Sequence, residues 1–300
     1  MELRHLRYFV AVAEELHFTR AAQRLGIGQP PLSQQIHQLE TELGVMLFHR
    51  LSRGIELTEA GQSFLTNAQS ILGAAAQAKV DAQRIARGEQ GVLRVGFTAS
   101  ASFNMFVPYA IRVFKEQYRG ISLSLVEHSS PPLNDMLSQG LLDVALVRPP
   151  FSSHEDLVSN RLLEEEMLIA LPANHPLAQA ESLSLAQLSE EPFILYPRSV
   201  GPGIYDRIIS ACQTVGFSPR IGQNAPQLAS TVNLVAAGLG IAIVPASMTH
   251  VHAESVRYHK IAGTAPVAPL GVAYRRNLRS AAAKNFVAMV RRLAENAIGA

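Results

Sequence analysis

The stretch from Gly26 to Glu40, GIGQPPLSQQIHQLE, presents Ser33, Gln34, Gln35, His37 and Gln38, all polar and none acidic. Such a set suits nucleic-acid bases. A glutamine amide pairs with adenine N6 and N7, a serine hydroxyl with several base edges, and Arg53, a little further on, suits phosphate or the minor groove. A glutamine-rich surface that is merely solvated is the competing reading. A second candidate chemistry lies further along. Ser100 follows a strand-like run and opens a helical one, where free N–H groups favour a carboxylate, and Arg148 ends another strand-like run with a fork that fits the same anion. Ser100 as a simple helix cap, and Arg148 as a surface or interface residue, are the alternatives.

Other chemistries find little support. Ser100 sits in Thr-Ala-Ser-Ala-Ser rather than G-x-S-x-G, and Gly238-Leu239-Gly240 lacks the rest of a dinucleotide fingerprint. His250 and His252 have no further ligands nearby and read as surface residues. Cys212, the single cysteine, lies in an apolar helical pattern and reads as a small buried hydrophobe, so no disulfide framework is available. No catalytic residue, metal or cofactor is expected.

The elements that must position these residues follow from periodicity. Leu3, Leu6, Phe9, Val10 and Ala13 mark an amphipathic helix, and a short one follows from Thr19, its expected N-cap, to Leu25 with Gly26 at the left-handed C-terminal position. Pro30 and Pro31 fit a first helical turn, where a missing N–H has no intrahelical partner. The third helix, with Leu32, Ile36, Leu39 and Leu43 on one face, thus runs to about Gly44. Three helices with a glycine turn before the third, then a ribbon at Leu47 to Leu51 and Ile55 to Leu57, predict a winged helix-turn-helix with Arg53 at the wing tip. From Thr58 to Gly88 there is no proline, and Ala60, Phe64, Ala68, Ile71, Ala75, Ala78, Ala82 and Ile85 form a seam suited to a partner helix; packing on its own domain is the alternative.

Beyond Gly91 the pattern alternates strand and helix. Residues 93–97, 121–128, 142–147, 167–172, 193–197, 240–245 and 270–275 read as buried strands of an α/β fold with largely parallel sheets. Composition agrees with two domains: 300 residues, 48% hydrophobic and 17% charged. Net charge is only +2, and residues 1–57 balance six Arg against six Glu, so bulk charge does not announce a nucleic-acid binder. Its distribution says more, because no acidic residue lies between Glu15 and Glu40 while Arg20 and Arg24 do. The charged N-terminus resembles no signal peptide and no run suits a membrane span, which predicts a cytoplasmic protein.

The N-terminal string resembles LysR-type transcriptional regulators. The likeness rests on Ala21-Ala22, Gln29-Pro30, S-x-Q-I at 33–36, L-E-x-x-L-G at 39–44, L-F-x-R at 47–50 and L-T-x-A-G at 57–61. It implies an N-terminal all-α winged helix-turn-helix (1–58), a long dimerisation linker helix (59–90) and a C-terminal effector domain (91–300). That domain would be α/β, of two Rossmann-like subdomains similar to periplasmic binding proteins, at about 91–162 with 267–300 and at about 163–266. Carried over, Gln29, Pro30, Pro31, Ser33, Gln34, His37 and Gln38 would face the major groove of double-stranded promoter DNA, with Arg53 on the wing. Leu39 and Glu40 would be structural. Partners implied are a second copy, commonly a tetramer, with RNA polymerase a further candidate. Gly28 departs from the Ser or Thr frequent in this family, so a phosphate-contacting hydroxyl is absent.

Within the family, VGFTASASF, ALVRP, LYP, GPGIY and LVAAGLGIAIVPAS are similar to regulators of aromatic-compound breakdown that respond to muconate-type acids. By that likeness Thr98, Ser100, Ser130, Arg148, Pro202, Gly203 and Ile204 would line a pocket for a small carboxylate effector. Ile204 replaces the Phe frequent in that group. A solute-binding protein and an enzyme with a two-lobed site are the alternatives in kind.

Overall fold

In a computed structural model the chain is described over residues 1–51, 54–149 and 155–298. Two compact units result, Met1–Arg84 and Ile85–Ala300.

The first unit opens with α1 (Leu3–Glu15), α2 (Phe18–Leu25) and α3 (Gln29–Leu43), followed by the antiparallel ribbon β1 (Phe48–Arg50) and β2 (Ile55–Leu57). Ser52 and Arg53, the expected wing tip, lie outside the described residues. The cap of α2 differs from expectation: His17 is the N-cap and its Nδ1 accepts from the backbone of Thr19, so the helix begins one residue earlier. Gly26 takes the left-handed conformation, with φ 67°. Ala21 and Ala22 are buried where α2 crosses α1 and α3, and Leu6, Phe9, Leu32, Ile36, Leu39 and Phe48 fill the same core. Glu40 is buried and structural: its Oε1 accepts from the backbone N–H groups of Leu47 and Phe48 at 2.8 and 3.2 Å, fixing α3 to the ribbon. In L-T-x-A-G, Thr58 Oγ1 accepts from Gly61 N and donates to Met46 O, and a Cβ on Gly61 would meet Leu47 O at 2.1 Å. Only glycine allows that approach. The long α4 (Glu59–Ala86) buries Gly61 and Ala68, and beyond Ala68 no described residue of it is buried.

The second unit has two lobes. The first is built from β3 (Gln90–Phe97), α5 (Ala99–Ser102), α6 (Phe106–Gln117), β4 (Gly120–Glu127), α7 (Ser130–Ser138) and β5 (Val144–Val147). The 16-residue β6 (Leu157–Pro172) leads into the second, which holds β7 (Ser182–Leu183), β8 (Pro192–Leu195), α8 (Pro202–Thr214), β9 (Arg220–Asn224), α9 (Leu228–Ala236), β10 (Ala242–Pro245) and β11 (Val256–Ile261). Then β12 (Val267–Arg275) returns antiparallel along the first half of β6, and α10 (Ala281–Ile298) closes on the first lobe. Each lobe has its own buried core, one around Phe114 and Phe286, the other around Phe193, Ile208 and Val232.

The sheets are mixed rather than largely parallel. β3–β4, β3–β5, β8–β9 and β7–β11 are parallel, but β12 pairs antiparallel with β5 and β6, and β6 with β10 and β11. The cause is topological: β6 and β12 carry the chain between lobes in opposite directions, so each lobe's sheet contains a reversed strand. Three strands escaped the sequence reading. β7 has two residues, β9 (RIGQN) is exposed throughout, and β11 (VRYHKI) interleaves cations with its apolar positions.

Candidate functional site

The surface of α3 is set by its first turn. Gly28 is the N-cap with extended backbone, and Pro30 and Pro31 occupy the next two places after Gln29. Leu32, Ile36 and Leu39 turn inward, which leaves Gln29, Pro30, Pro31, Gln34, His37 and Gln38 exposed and Ser33 half-buried. Seven expected contact residues therefore lie on one element and its neighbouring faces; Arg53 is the one that falls outside the described residues. The expected cationic border is partly neutralised, because Arg24 pairs with Glu14 at 2.7 Å and Arg20 with the Glu15 carboxylate at 3.9 Å. These ion pairs are exposed and exchange readily for phosphate contacts.

The second site is a cavity of about 340 Å³ between the lobes of the effector unit. Four helices start at it. Thr98, Ser129, Gly201 and Gln227 are the N-caps of α5, α7, α8 and α9, and none caps a backbone N–H of its own helix with its side chain. First-turn N–H groups have no carbonyl four residues back, so the helix starts offer unfilled donors toward one space. Prolines at 131, 132 and 202 remove N–H groups there, leaving those of Ser130, Gly203 and Ile204. Thr98 Oγ1 and Ser100 Oγ lie 3.2 Å apart.

Thr98, Ser100, Ser130, Arg148, Gly203 and Ile204 all line this cavity, but Pro202 does not. It occupies the first position of α8 and fixes that helix's entry instead. Ser100 is not a cap either; it is the second residue of α5, behind Thr98. Arg148 is not a free fork. It is 4% exposed, its Nη2 donates to Glu165 Oε2 at 2.7 Å and to Ser100 O at 2.9 Å, and its Nη1 donates to Ala268 O at 2.9 Å. Glu165, on β6, also accepts from Asn104 Nδ2 and from Ser247 N of the second lobe. Burial penalises that carboxylate, but the Arg148 charge and the hydrogen bonds from Ser247, Arg148 and Asn104 outweigh it and hold its pKa below the ordinary range. The guanidinium is thus held in the cavity wall as one half of a buried ion pair, with its Nε lacking a hydrogen-bond partner.

Sequence reasoning missed Glu127, His128, Tyr196, Gln227 and Leu228, which also line the cavity. Burial raises the Tyr196 phenol well above its ordinary value, with Arg148 opposing and Asp206 reinforcing the shift, so it presents a neutral hydroxyl. No spacing signal marks these residues, since three segments distant in sequence, at the ends of β4 and β8 and the start of α9, bring them together. Cys212 is buried in the second lobe, its thiol pushed up to about 11 by desolvation, as a small hydrophobe would be. Among the described residues no group of His, Cys, Asp and Glu could hold a metal ion, and no helix is long and apolar enough to cross a membrane.

Comparison with known proteins decides what this pair of sites belongs to. The family described as bacterial regulatory helix-turn-helix protein, lysR family, matches residues 3–62, and the LysR substrate binding domain matches residues 86–295. The chain belongs to the LysR family of transcriptional regulators. The HTH-type transcriptional regulator BudR of Raoultella terrigena is 42% identical over 96% of this chain and 100% of its own. AlsR of Bacillus subtilis (strain 168), also named an HTH-type transcriptional regulator, is 39% identical over 96% and 94%. A crystal structure of full-length CbnR complexed with its target DNA superposes with a TM-score of 0.87 at 30% identity, covering 98% of this chain and 100% of CbnR. This LysR-family regulator is accordingly a DNA-binding protein with an effector-binding domain, and not an enzyme.

Proposed function

We propose that this LysR-family regulator reads promoter DNA through the exposed face of α3 and answers to a small carboxylate held between the lobes of its effector domain. Gln29, Pro30, Pro31, Ser33, Gln34, His37 and Gln38 contact the major groove, and Arg53 contacts the backbone or minor groove from the wing. The observation that carries the effector assignment is the convergence of four helix starts, with the buried Arg148, on one cavity. Anions bind such donors because unfilled N–H groups and the positive helix end act together. The space suits a molecule of muconate or benzoate size, and aromatic acids and muconates are the classes proposed.

Binding does no chemistry on the ligand. It favours one arrangement of the lobes, to the extent that the ligand's affinity for the two arrangements differs. We also propose that α4, with Ala75, Ala78, Ala82 and Ile85 outside any described core, packs on a second copy, and that dimers pair into tetramers in the cytoplasm, with RNA polymerase a further contact. Calorimetry of the full chain tests the ligand: benzoate and cis,cis-muconate are expected to bind and benzyl alcohol not. Unchanged affinity in Ser100→Ala with Ser130→Ala would overturn the site. A gel shift on a promoter duplex tests the DNA face: if Ser33→Ala with Gln34→Ala leaves a specific shift intact, α3 is not the reader.

A further inference from the structure

A chain of hydrogen bonds runs from the start of α1, through the buried His5, to the exposed face of α3. The backbone N–H of Glu2 meets His5 Nδ1 at 3.2 Å, His5 Nε2 lies 3.1 Å from Gln35 Oε1, and Gln35 Nε2 lies 3.2 Å from Gln38 Oε1. An N–H can only donate, so Nδ1 accepts and the neutral ring carries its proton on Nε2. Nε2–H therefore donates to Gln35 Oε1, which turns the Gln35 amide nitrogen toward Gln38. His5 is 4% exposed and Gln35 is half-buried, so both ends of this link are held by packing.

We infer that His5 and Gln35 are positioning residues that fix the polarity of Gln38, so that it meets DNA with its NH2 group foremost, as a hydrogen-bond donor. The inference rests on the reading of α3 as the DNA-contacting helix. With its Oε1 taken by Gln35, Gln38 presents its NH2 group outward. A glutamine that reads adenine uses both its oxygen and its nitrogen, against N6 and N7. The Gln38 oxygen is turned toward Gln35, off the outward edge, which disfavours that pair. Its exposed N–H groups match an edge of acceptors, guanine N7 and O6 or thymine O4.

Selection from a randomised 20-base-pair duplex pool, followed by sequencing, gives the base preference of the full chain at every position. Gln38→Ala is expected to erase preference at one position per half-site, a loss of about tenfold in discrimination. His5→Ala and Gln35→Leu are expected to relax that same position and no other, and His5→Gln, which keeps a donor, to restore it. Gln35→Glu accepts from both neighbours and so turns the Gln38 oxygen outward. It is expected to switch the preference toward a donor-bearing edge, adenine or cytosine. A purely structural role for His5 weakens binding to all duplexes equally and moves no single position. If Gln38→Ala alters no position, Gln38 is not a reader and the assignment of this residue to the DNA face fails. If Gln38→Ala alters one that His5→Ala and Gln35→Leu leave intact, the relay is wrong. A Gln35→Glu preference identical to the parent's overturns the donor polarity.

Discussion

Two helices of this regulator begin in the same way and are put to different use. In α3 the N-cap Gly28 is followed by Gln29-Pro30-Pro31; in α7 the N-cap Ser129 is followed by Ser130-Pro131-Pro132. Both caps have extended backbone, with φ −69° in each, and both helices close their first turn onto the cap, Leu32 N on Gly28 O and Leu133 N on Ser129 O. Each proline pair leaves a single first-turn N–H, that of Gln29 or of Ser130. Yet Gln29 is exposed on the face expected to meet DNA, while Ser130 is 9% exposed in the wall of a cavity. The local sequence specifies a helix start with one spare donor. What that donor recognises is set by everything packed around it.

The difference should show most strongly in the cost of removing supporting residues. Behind α7 the cavity depends on the buried pair of Arg148 and Glu165; the proposed DNA face of α3 has exposed or half-buried polar groups in front of a core, with no buried ion pair behind it among the described residues. Glu165→Ala leaves a buried guanidinium without its carboxylate, a change expected to cost about 3–5 kcal/mol in the effector unit. Ser33→Ala on α3 is expected to stay within about 0.5 kcal/mol. Urea unfolding of the two variants measures both, and a Glu165→Ala cost below 1 kcal/mol would break the contrast.

Acid should separate the regions by the same route, with a smaller effect. A carboxylate whose folded pKa is depressed stabilises fully above its unfolded pKa, and that stability is lost as pH falls through the folded value. The effector unit is therefore expected to lose stability as pH drops below the ordinary glutamate range near 4, with Glu165 contributing. In Glu165→Gln that contribution vanishes, and the acid limb of the stability curve should flatten. A limb that keeps its slope would show that other carboxylates carry it.

At the level of ligands the two helix starts should be separable by single hydroxyls. Ser130→Ala is expected to weaken muconate or benzoate binding about fivefold, the value of one hydrogen bond, and to leave DNA affinity unchanged. Ser33→Ala is expected to do the reverse. Calorimetry and fluorescence anisotropy on the same preparations check both arms, and a variant that moves both affinities together would tie the sites more closely than proposed.

How much of this was legible follows from where the determinants lie. The N-terminal unit is built from local signals: amphipathic periodicity, Gly26 and Gly44 in left-handed conformations, Pro30-Pro31 at a helix start, and small Ala21 and Ala22 at a crossing. Short-range rules read these correctly, apart from the cap at His17, where an imidazole does the work that Thr19 was expected to do. The cavity is assembled from residues some 130 positions apart, and periodicity is silent about that. Arg148 was found as a cation at a strand end, but its partner Glu165 sits in the polar run Glu164-Glu165-Glu166 of β6, which gives no sign that the middle residue alone turns inward. The antiparallel return of β12 was equally hidden, because pairing direction depends on the path between lobes and not on the composition of either strand.

The smallest expected effect is also the sharpest comparison, a reciprocal exchange of the two caps. Ser129 makes no side-chain bond to its helix, so Ser129→Gly is expected to cost only a few tenths of a kcal/mol. Gly28→Ser introduces a Cβ that would stand 3.3 Å from the Pro31 ring, a tight contact. Ser129 already carries a Cβ before Pro132 with nearly the same backbone angles, so the geometry tolerates it there and should at position 28. The new hydroxyl faces solvent at the start of the helix proposed to read DNA, where a phosphate oxygen can accept from it. DNA affinity is expected to rise about threefold by anisotropy, with the dependence on salt unchanged, because a neutral hydroxyl releases no counterion. A rise accompanied by a steeper salt slope would mean that the substitution had redirected a cationic side chain instead. A fall would mean that the Pro31 contact had displaced the first turn, and with it the premise that the two helix starts are interchangeable.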